Sequence, residues 1–355
     1  MKNHNRIIDA NINRISEGIR VLEDLSRFYF NEYSLTNELK QLRHLVRKSI
    51  LEIEVSKKLI DFRDSQNDIG LNISQESRLD DKNDIQEIIS GNSKRIQEGL
   101  RVVEENLKII GFFELSKKYE SFRYLFYDME KRFHKILQRS KRKNINNKDI
   151  YCILCEELSN GKSNIEVVKI LIDSGIEIIQ YREKEKSMLE KYNQCLEIRK
   201  LTKESGAIFI VNDHVDLAKA VNADGVHIGQ DDLPIEVVRE FVGDEMIIGL
   251  STHSIAQAKE AVKRGADYIG VGPIFKTDTK KDVCAPVGFE YLDFVVNNID
   301  LPFVAIGGIK QGNILDIINH GAKTVAMVSE IVCAKDISKK IKNIRKLISN
   351  KSTHL

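Results

Sequence analysis

The sequence predicts an α/β protein in which an all-α helical bundle precedes a C-terminal closed (β/α)8 barrel. Three observations predict it. All four prolines (Pro234, Pro273, Pro286, Pro302) and 15 of the 20 glycines lie beyond residue 150, so turn signals are sparse in the first part and dense in the second. Residues 11–23 recur at 92–104, as expected of two similar helical halves. Eight short apolar runs, each followed by a helical pattern, fill the remainder. At 355 residues the chain also exceeds what one hydrophobic core usually holds, and the expected division is a bundle over 1–138, a linker over 139–149 and a barrel over 150–355.

In the first part, Asn11-Ile-Asn-Arg-Ile-Ser-Glu-Gly-Ile-Arg-Val-Leu-Glu23 matches Asn92-Ser-Lys-Arg-Ile-Gln-Glu-Gly-Leu-Arg-Val-Val-Glu104 at eight of 13 positions, at a shift of 81. Leu42-Arg-His-Leu45 resembles Phe122-Arg-Tyr-Leu125 at a shift of 80, so the echo covers helix pairs and predicts a pseudo-symmetric bundle. Ile12, Ile15, Ile19, Leu22 and Leu25 fall at the three- and four-residue spacing of a buried stripe. Arg14, Glu17, Arg20 and Asp24 share the other side, where they read either as surface ion pairs or as an anion site. Gly18 and Gly99 sit mid-helix at a cost of roughly 1 kcal/mol each relative to Ala, which calls for a close helix approach or a ligand contact. Arg139 to Lys148 has no apolar period and reads as a solvated tether or a frayed helix end.

Beyond the linker the runs are Tyr151 to Cys155, Ile176 to Tyr181, Ala207 to Val211, Gly225 to Ile228, Met246 to Leu250, Tyr268 to Val271, Phe303 to Ile306 and Thr324 to Val328. Eight parallel strands is the number that closes a TIM-type barrel, whose functional groups follow the strands at their C-terminal ends. Here Gln180 to Lys184 follow run two, Asn212 and Asp213 run three, Gly229 to Asp232 run four and Ser251 to His253 run five. Run six opens into Gly272 to Lys281, run seven into Gly307 and Gly308, and run eight into Ser329.

Composition narrows the partners. Lys plus Arg at 55 against Asp plus Glu at 53 gives a net charge of +2, which removes nucleic acid as the default partner. No apolar run reaches the ~18 to 20 residues of a membrane span and no signal-peptide core opens the chain, so a cytoplasmic location is expected. Five dispersed cysteines agree with a reducing compartment.

Arg182, Lys184, Lys280 and Lys281 beside Asp213 and Asp232 suggest a Mg²⁺-bound polyphosphate. Asp213 with Asp216 also has the spacing of a helix N-cap box. Glycines after run seven and Ser329 after run eight stand where barrels commonly bind a second phosphate, so two phosphorylated reactants are expected. Three other signals are weaker. Gly161-Lys-Ser163 has the end of a phosphate-binding loop, but Glu156 stands where that motif needs glycine. Cys152 and Cys155, three apart in a strand, point to opposite faces, against a redox or metal pair. His214, His227 and His253 on adjacent strands fit packing better than a metal cluster.

Gln180-Tyr-Arg-Glu-Lys184, Val211-Asn-Asp213, Asp224-Gly-Val-His-Ile-Gly-Gln-Asp-Asp232, Gly249-Leu-Ser251, Gly270-Val-Gly-Pro-Ile-Phe-Lys-Thr-Asp-Thr-Lys-Lys281 and Ala305-Ile-Gly-Gly-Ile309 together resemble the thiamine-phosphate synthase family, over about residues 150 to 345. The resemblance implies joining of hydroxymethylpyrimidine diphosphate to thiazole phosphate with release of diphosphate. It implies contacts of the pyrimidine diphosphate with Gln180, Tyr181, Arg182, Glu183, Lys184, Asn212, Ser251 and Lys280, with Lys280, Arg182 and Ser251 catalytic, and Mg²⁺ on Asp213 and Asp232. The thiazole phosphate is implied to meet Thr277, Asp278 and Thr279, with backbone contacts at Gly308, Val328 and Ser329. Glu185 departs from the glycine of many relatives and touches only the local loop. The nearest rival is the thiazole tautomerase relative, against which stand Lys280 and the Asp213/Asp232 pair.

The first part resembles a helical domain fused to thiamine synthases in some bacteria and associated with hydroxymethylpyrimidine phosphate kinase activity, over about residues 5 to 135. Its markers are Asn11 to Asp24, Leu42-Arg-His44 and Arg63 to Gly70. That resemblance implies ATP as a partner. Without a glycine-rich phosphate loop in residues 1–140, Arg side chains and helix ends would have to hold it. The competing reading is a dimerisation or sensing module.

Overall fold

The computed structural model describes residues 2–52, 59, 84–277, 279 and 284–352. The chain divides into two compact units, Met1–Ser140 and Lys141–Leu355. Among the described residues no helix is long and apolar enough to cross a membrane.

The first unit is helical: α1 (Lys2–Asp24), continued by a π-helical turn over Leu25–Tyr29, then α2 (Tyr33–Ser49), α3 (Ile85–Ile109) and α4 (Phe113–Ser140). Asp84 starts α3 by accepting a hydrogen bond from the Glu87 N–H at 2.8 Å. The expected stripe is buried through Leu22 and half-buried at Leu25: Ile15, Ile19 and Leu22 are fully enclosed, as are their counterparts Ile96, Leu100 and Val103 on α3. The two mid-helix glycines have reciprocal reasons. A Cβ on Gly18 would stand 2.9 Å from Ile96 Cγ1, and one on Gly99 would stand 2.7 Å from Ile15 Cγ1. Each repeat thus leaves a notch for the isoleucine of the other, and close helix approach accounts for both glycines.

The ions obey the same relation. Glu23 is buried and meets Arg20 at 3.1 Å and Arg43 at 2.9 Å. Glu104, shifted by 81, is fully buried and meets Arg101 at 2.9 Å, Lys108 at 2.7 Å and Arg123 at 3.3 Å. Burial by itself would raise the Glu104 carboxyl, but Lys108, Arg101 and Arg123 outweigh it and hold the group below its ordinary range.

The second unit is a closed barrel of eight parallel strands in sequential order: β1 (Ile150–Ile153), β2 (Ile178–Tyr181), β3 (Ile208–Asn212), β4 (Gly225–Ile228), β5 (Ile247–Thr252), β6 (Tyr268–Val271), β7 (Phe303–Ala305) and β8 (Val325–Met327). The outer helices are α5 (Asn164–Asp173), α6 (Met188–Ser205), α7 (Val215–Ala220), α8 (Ile235–Val242), α9 (Ile255–Arg264), α10 (Gly288–Asn298), α11 (Ile314–Asn319), α12 (Ser329–Val332) and α13 (Ile337–Ser352). Residues 161–163 find their use here, since Ser163 forms a capping box with Glu166 at the start of α5, as Ser187 does with Glu190 at α6. Strand alternation sorts the side chains. Cys152, Ile179, Tyr181 and Phe209 pack under the helices, while Tyr151, Ile178, Ile208, Ile247 and Tyr268 fill the interior. Burial pushes the Cys152 thiol up to about 12, which suits an inert packing residue.

The tether reading of residues 139–149 is corrected. Helix α4 runs through Ser140, and the residues after it are bound to the second unit. Arg142 Nε donates to the Asp244 carbonyl at 2.7 Å and its guanidinium pairs with Asp267. Lys143 Nζ donates to the Ala207 carbonyl at 2.8 Å and meets Asp224 at 3.1 Å, while Lys148 pairs with Glu177. Ile145, 4% exposed, joins the interior cluster. Asp224, Asp267 and Glu177 each lie just before a strand, so the basic run seats on carboxylates at the barrel's N-terminal rim, two of which also pair with Arg199 and Arg239.

Candidate active site

Inward parity along successive strands brings Gln180, Asn212, His227 and Ser251 into the barrel. Below them runs a chain of polar contacts. Gln180 Nε2 donates to the Tyr151 hydroxyl at 2.9 Å, the Tyr151 and Tyr268 hydroxyls are 2.9 Å apart, His227 Nδ1 is 2.8 Å from the Tyr268 hydroxyl, and His227 Nε2 is 2.9 Å from Ser251 Oγ. Gly249 makes this possible, because a Cβ there would stand 2.1 Å from the Tyr268 ring and 2.5 Å from His227 Nδ1. Burial raises both tyrosine hydroxyls well above the usual phenol range, so they stay protonated.

At the mouth, Asp213 follows β3 in a left-handed backbone conformation (φ 59°), with its N–H bonded to the His227 carbonyl at 2.9 Å. The N-cap alternative for Asp213 is not realised: α7 starts at Val215 with His214 at its cap and no side-chain cap bond. Asp213 is open to water yet ringed by protein atoms. That enclosure raises its carboxyl most, the Asp232 charge raises it further, and Lys184 and Arg182 pull it back. The two carboxylates and two cations therefore share one neighbourhood. Asp232 is held there by the Gly229 N–H, which donates to its Oδ2 at 2.6 Å.

Not every residue of the β2 end faces the mouth. Tyr181 is 2% exposed and its hydroxyl donates to Gln194 Oε1 on α6 at 2.8 Å, so strand parity turns its side chain to the helix layer and away from the mouth. Glu183 Oε1 accepts from the Glu156 N–H at 2.7 Å and from Asn164 Nδ2 at 2.9 Å, which ties β2 to the loop after β1. On the far side, Thr277 Oγ1 and Thr279 Oγ1 are 3.3 Å apart, the Gly308 carbonyl accepts from Asn313 Nδ2 at 3.0 Å, and Val328 and Ser329 open α12. Asp278, Lys280 and Lys281 lie outside the described residues, as does the Arg63 to Gly70 segment of the helical unit.

Lys191 escaped the sequence reading. It is 5% exposed, and its Nζ lies 3.0 Å from His214 Nε2 and 3.3 Å from the Lys184 carbonyl, so it braces the loops that carry Lys184 and Asp213. A lysine in the first turn of α6 carries no sequence signal for burial. Tyr151 and Tyr268 did carry one: both are polar aromatics at the inward parity of Gln180.

The family model for thiamine monophosphate synthase matches residues 150–331. Over nearly the whole chain, a thiamine-phosphate synthase of Prochlorococcus marinus (strain AS9601) is 36% identical, covering 98% of this chain and 96% of the relative. The chain belongs to the thiamine-phosphate synthase family. A second synthase, from Pelotomaculum thermopropionicum, is 64% identical over 203 residues, 57% of this chain and 93% of its own length. Among solved structures, thiamine phosphate pyrophosphorylase from Pyrococcus furiosus superposes with a TM-score of 0.53 at 37% identity, covering 58% of this chain and 97% of that one. The ThiD2 family model matches residues 6–132, within the helical unit. The family accounts for the barrel and for the order of its strand-end motifs.

Proposed function

We propose that the barrel joins hydroxymethylpyrimidine diphosphate to thiazole phosphate, releasing diphosphate and forming thiamine phosphate. The observation that carries this is the shared neighbourhood of Arg182, Lys184, Asp213 and Asp232 at the barrel mouth. The carbon–oxygen bond to diphosphate breaks with its electron pair leaving on oxygen, and the thiazole nitrogen closes a carbon–nitrogen bond with its own lone pair. No general base is required. Arg182, Lys184 and Lys280 take up charge on the departing diphosphate, and Ser251, Gln180 and Asn212 orient the pyrimidine. Asp213 and Asp232 suit a divalent cation, because the Asp232 charge raises the cost of charge on Asp213. They would hold Mg²⁺, which supplies further neutralisation of the leaving group. Thr277, Asp278 and Thr279, with the backbone at Gly308, Val328 and Ser329, take the thiazole phosphate.

For the helical unit the reading is phosphorylation of the pyrimidine monophosphate by ATP, which would supply the barrel's substrate; the ThiD2 match supports it. The test feeds the full-length protein pyrimidine monophosphate, thiazole phosphate and Mg²⁺, with and without ATP, with pyrimidine diphosphate as control. Product from the diphosphate supports the barrel reading, and ATP-dependent product from the monophosphate supports the kinase reading. In the diphosphate reaction Lys280→Ala and Asp213→Ala should each lower turnover about 100-fold or more. Near-normal rates in both would remove the site assignment.

A further inference from the structure

The helical unit carries a groove of about 680 Å³ lined by Asn11, Arg14, Glu17, Lys94, Arg95 and Glu98. At the repeat shift of 81, Arg14 corresponds to Arg95 and Glu17 to Glu98, so the groove straddles the pseudo-symmetric junction of α1 and α3. Sequence spacing left two readings for these charges, and the structure separates them along the helix. Arg20 pairs with Glu23 and Asp24, both at 3.1 Å, and Arg101 pairs with Glu104 at 2.9 Å and Glu105 at 2.8 Å. Arg14, Lys94 and Arg95 have no ion pair among the described residues, although Glu17 and Glu98 stand three residues beyond Arg14 and Arg95.

Three cations lining one concave surface repel one another, and a multiply charged anion relieves that repulsion. Two of them are arginines, whose planar fork matches phosphate oxygens in bidentate fashion. The carboxylates of Glu17 and Glu98 would repel a bare phosphate. They instead offer acceptors to N–H or O–H groups on the remainder of the same ligand. The volume lies in the range of roughly 300–1,000 Å³ occupied by small-molecule sites. We propose that this groove binds a small phosphate ester bearing amino or hydroxyl donors, its phosphate on Arg14, Lys94 and Arg95 and its donors on Glu17 and Glu98. The site is distinct from the barrel mouth, and the inference stands whether or not the helical unit transfers a phosphoryl group.

The test is equilibrium dialysis of the full-length protein with hydroxymethylpyrimidine monophosphate, an amino-bearing phosphate ester, and with its dephosphorylated alcohol. Wild type should bind the monophosphate at least tenfold more tightly than the alcohol. Arg14→Ala and Arg95→Ala should each weaken the monophosphate at least tenfold, while leaving thiamine-phosphate formation from the diphosphate unchanged. Lys94→Gln, at an exposed position, repeats the test if either arginine variant loses helical circular dichroism. Affinity unchanged in Lys94→Gln and the folded arginine variants, absence of saturable binding, or loss confined to Arg182→Ala would each overturn the proposal, the last by assigning the binding to the barrel. Failure of the barrel reading would show separately, as absent turnover in wild type.

Discussion

The hydroxyls of Tyr151 and Tyr268 lie 2.9 Å apart inside the barrel and join Gln180 on β2 to Ser251 on β5 through His227. Neither tyrosine reaches the mouth, yet between them they fix the orientation of a carboxamide and a hydroxyl assigned to the pyrimidine. A chain whose tyrosines and carboxamide are buried is costly to leave half satisfied. Tyr268→Phe keeps the ring that fills the space beside Gly249 and deletes one oxygen, so Tyr151 and His227 each lose a partner. The expected loss is about 1–3 kcal/mol of stability, read as a melting point lower by about 2–4 °C per kcal/mol. The Michaelis constant for pyrimidine diphosphate should rise while that for thiazole phosphate stays put. Parallel changes in both constants would mean that the chain supports the fold alone.

Asp213 yields a pH prediction. Its carboxyl is raised by enclosure and by Asp232, so its contribution to stability is full below the ordinary carboxylate range and is lost as pH rises through the raised value. Asp213→Asn should therefore melt higher than wild type at neutral pH in the absence of divalent cation, and match it in acid. Added Mg²⁺ should raise the melting point of wild type and not of the variant. Turnover of wild type in Mg²⁺ should fall in acid as the carboxyl is protonated and the cation is released, whereas Asp213→Asn should be slow at every pH.

The barrel was legible because each strand is a short apolar run and each run ends in a chemically marked loop. Strand bounds differ by one or two residues, as at β2, where Ile178 and not Ile176 opens the strand. The mouth was less legible. Position after a strand does not tell inward from outward, which is why Tyr181 turns to Gln194 and Glu183 to the loop after β1. The basic run after α4 misled for a different reason: the carboxylates that fix it, Asp224, Asp267 and Glu177, lie far away in sequence. In the helical unit the repeat showed the symmetry, but the choice between ion pairs and open cations at Arg20 and Arg14 needed the packed helices.

Ile145 tests the corrected reading of the segment after α4. A solvated tether would tolerate any residue there, whereas a side chain 4% exposed in the interior cluster would not. Ile145→Ala should cost about 2–5 kcal/mol of barrel stability, measured by chemical unfolding of the full chain, and Ile145→Asp should cost more. Asn146→Ala, at an exposed position beside the cluster, is the control and should be silent.

The buried carboxylate of Glu104 gives the last prediction. Arg101, Lys108 and Arg123 together hold it below its ordinary range against the effect of burial. A depressed carboxyl contributes stability above its unfolded value and loses it as pH falls through the folded one. Glu104→Gln should therefore destabilise the helical unit at neutral pH, by about 3 kcal/mol because it strips a charge from a buried cluster whose cations remain. The deficit should shrink in acid, where wild type also becomes neutral at this position. Arg123 comes from α4 and Arg43, its counterpart, from α2, so each ties a second helix to its own repeat. Hydrogen exchange of the full chain is the measurement that resolves this: Glu104→Gln should speed exchange in α3 and α4 and leave the barrel strands protected. Faster exchange spread evenly over both units would show that the cluster is not local to its repeat.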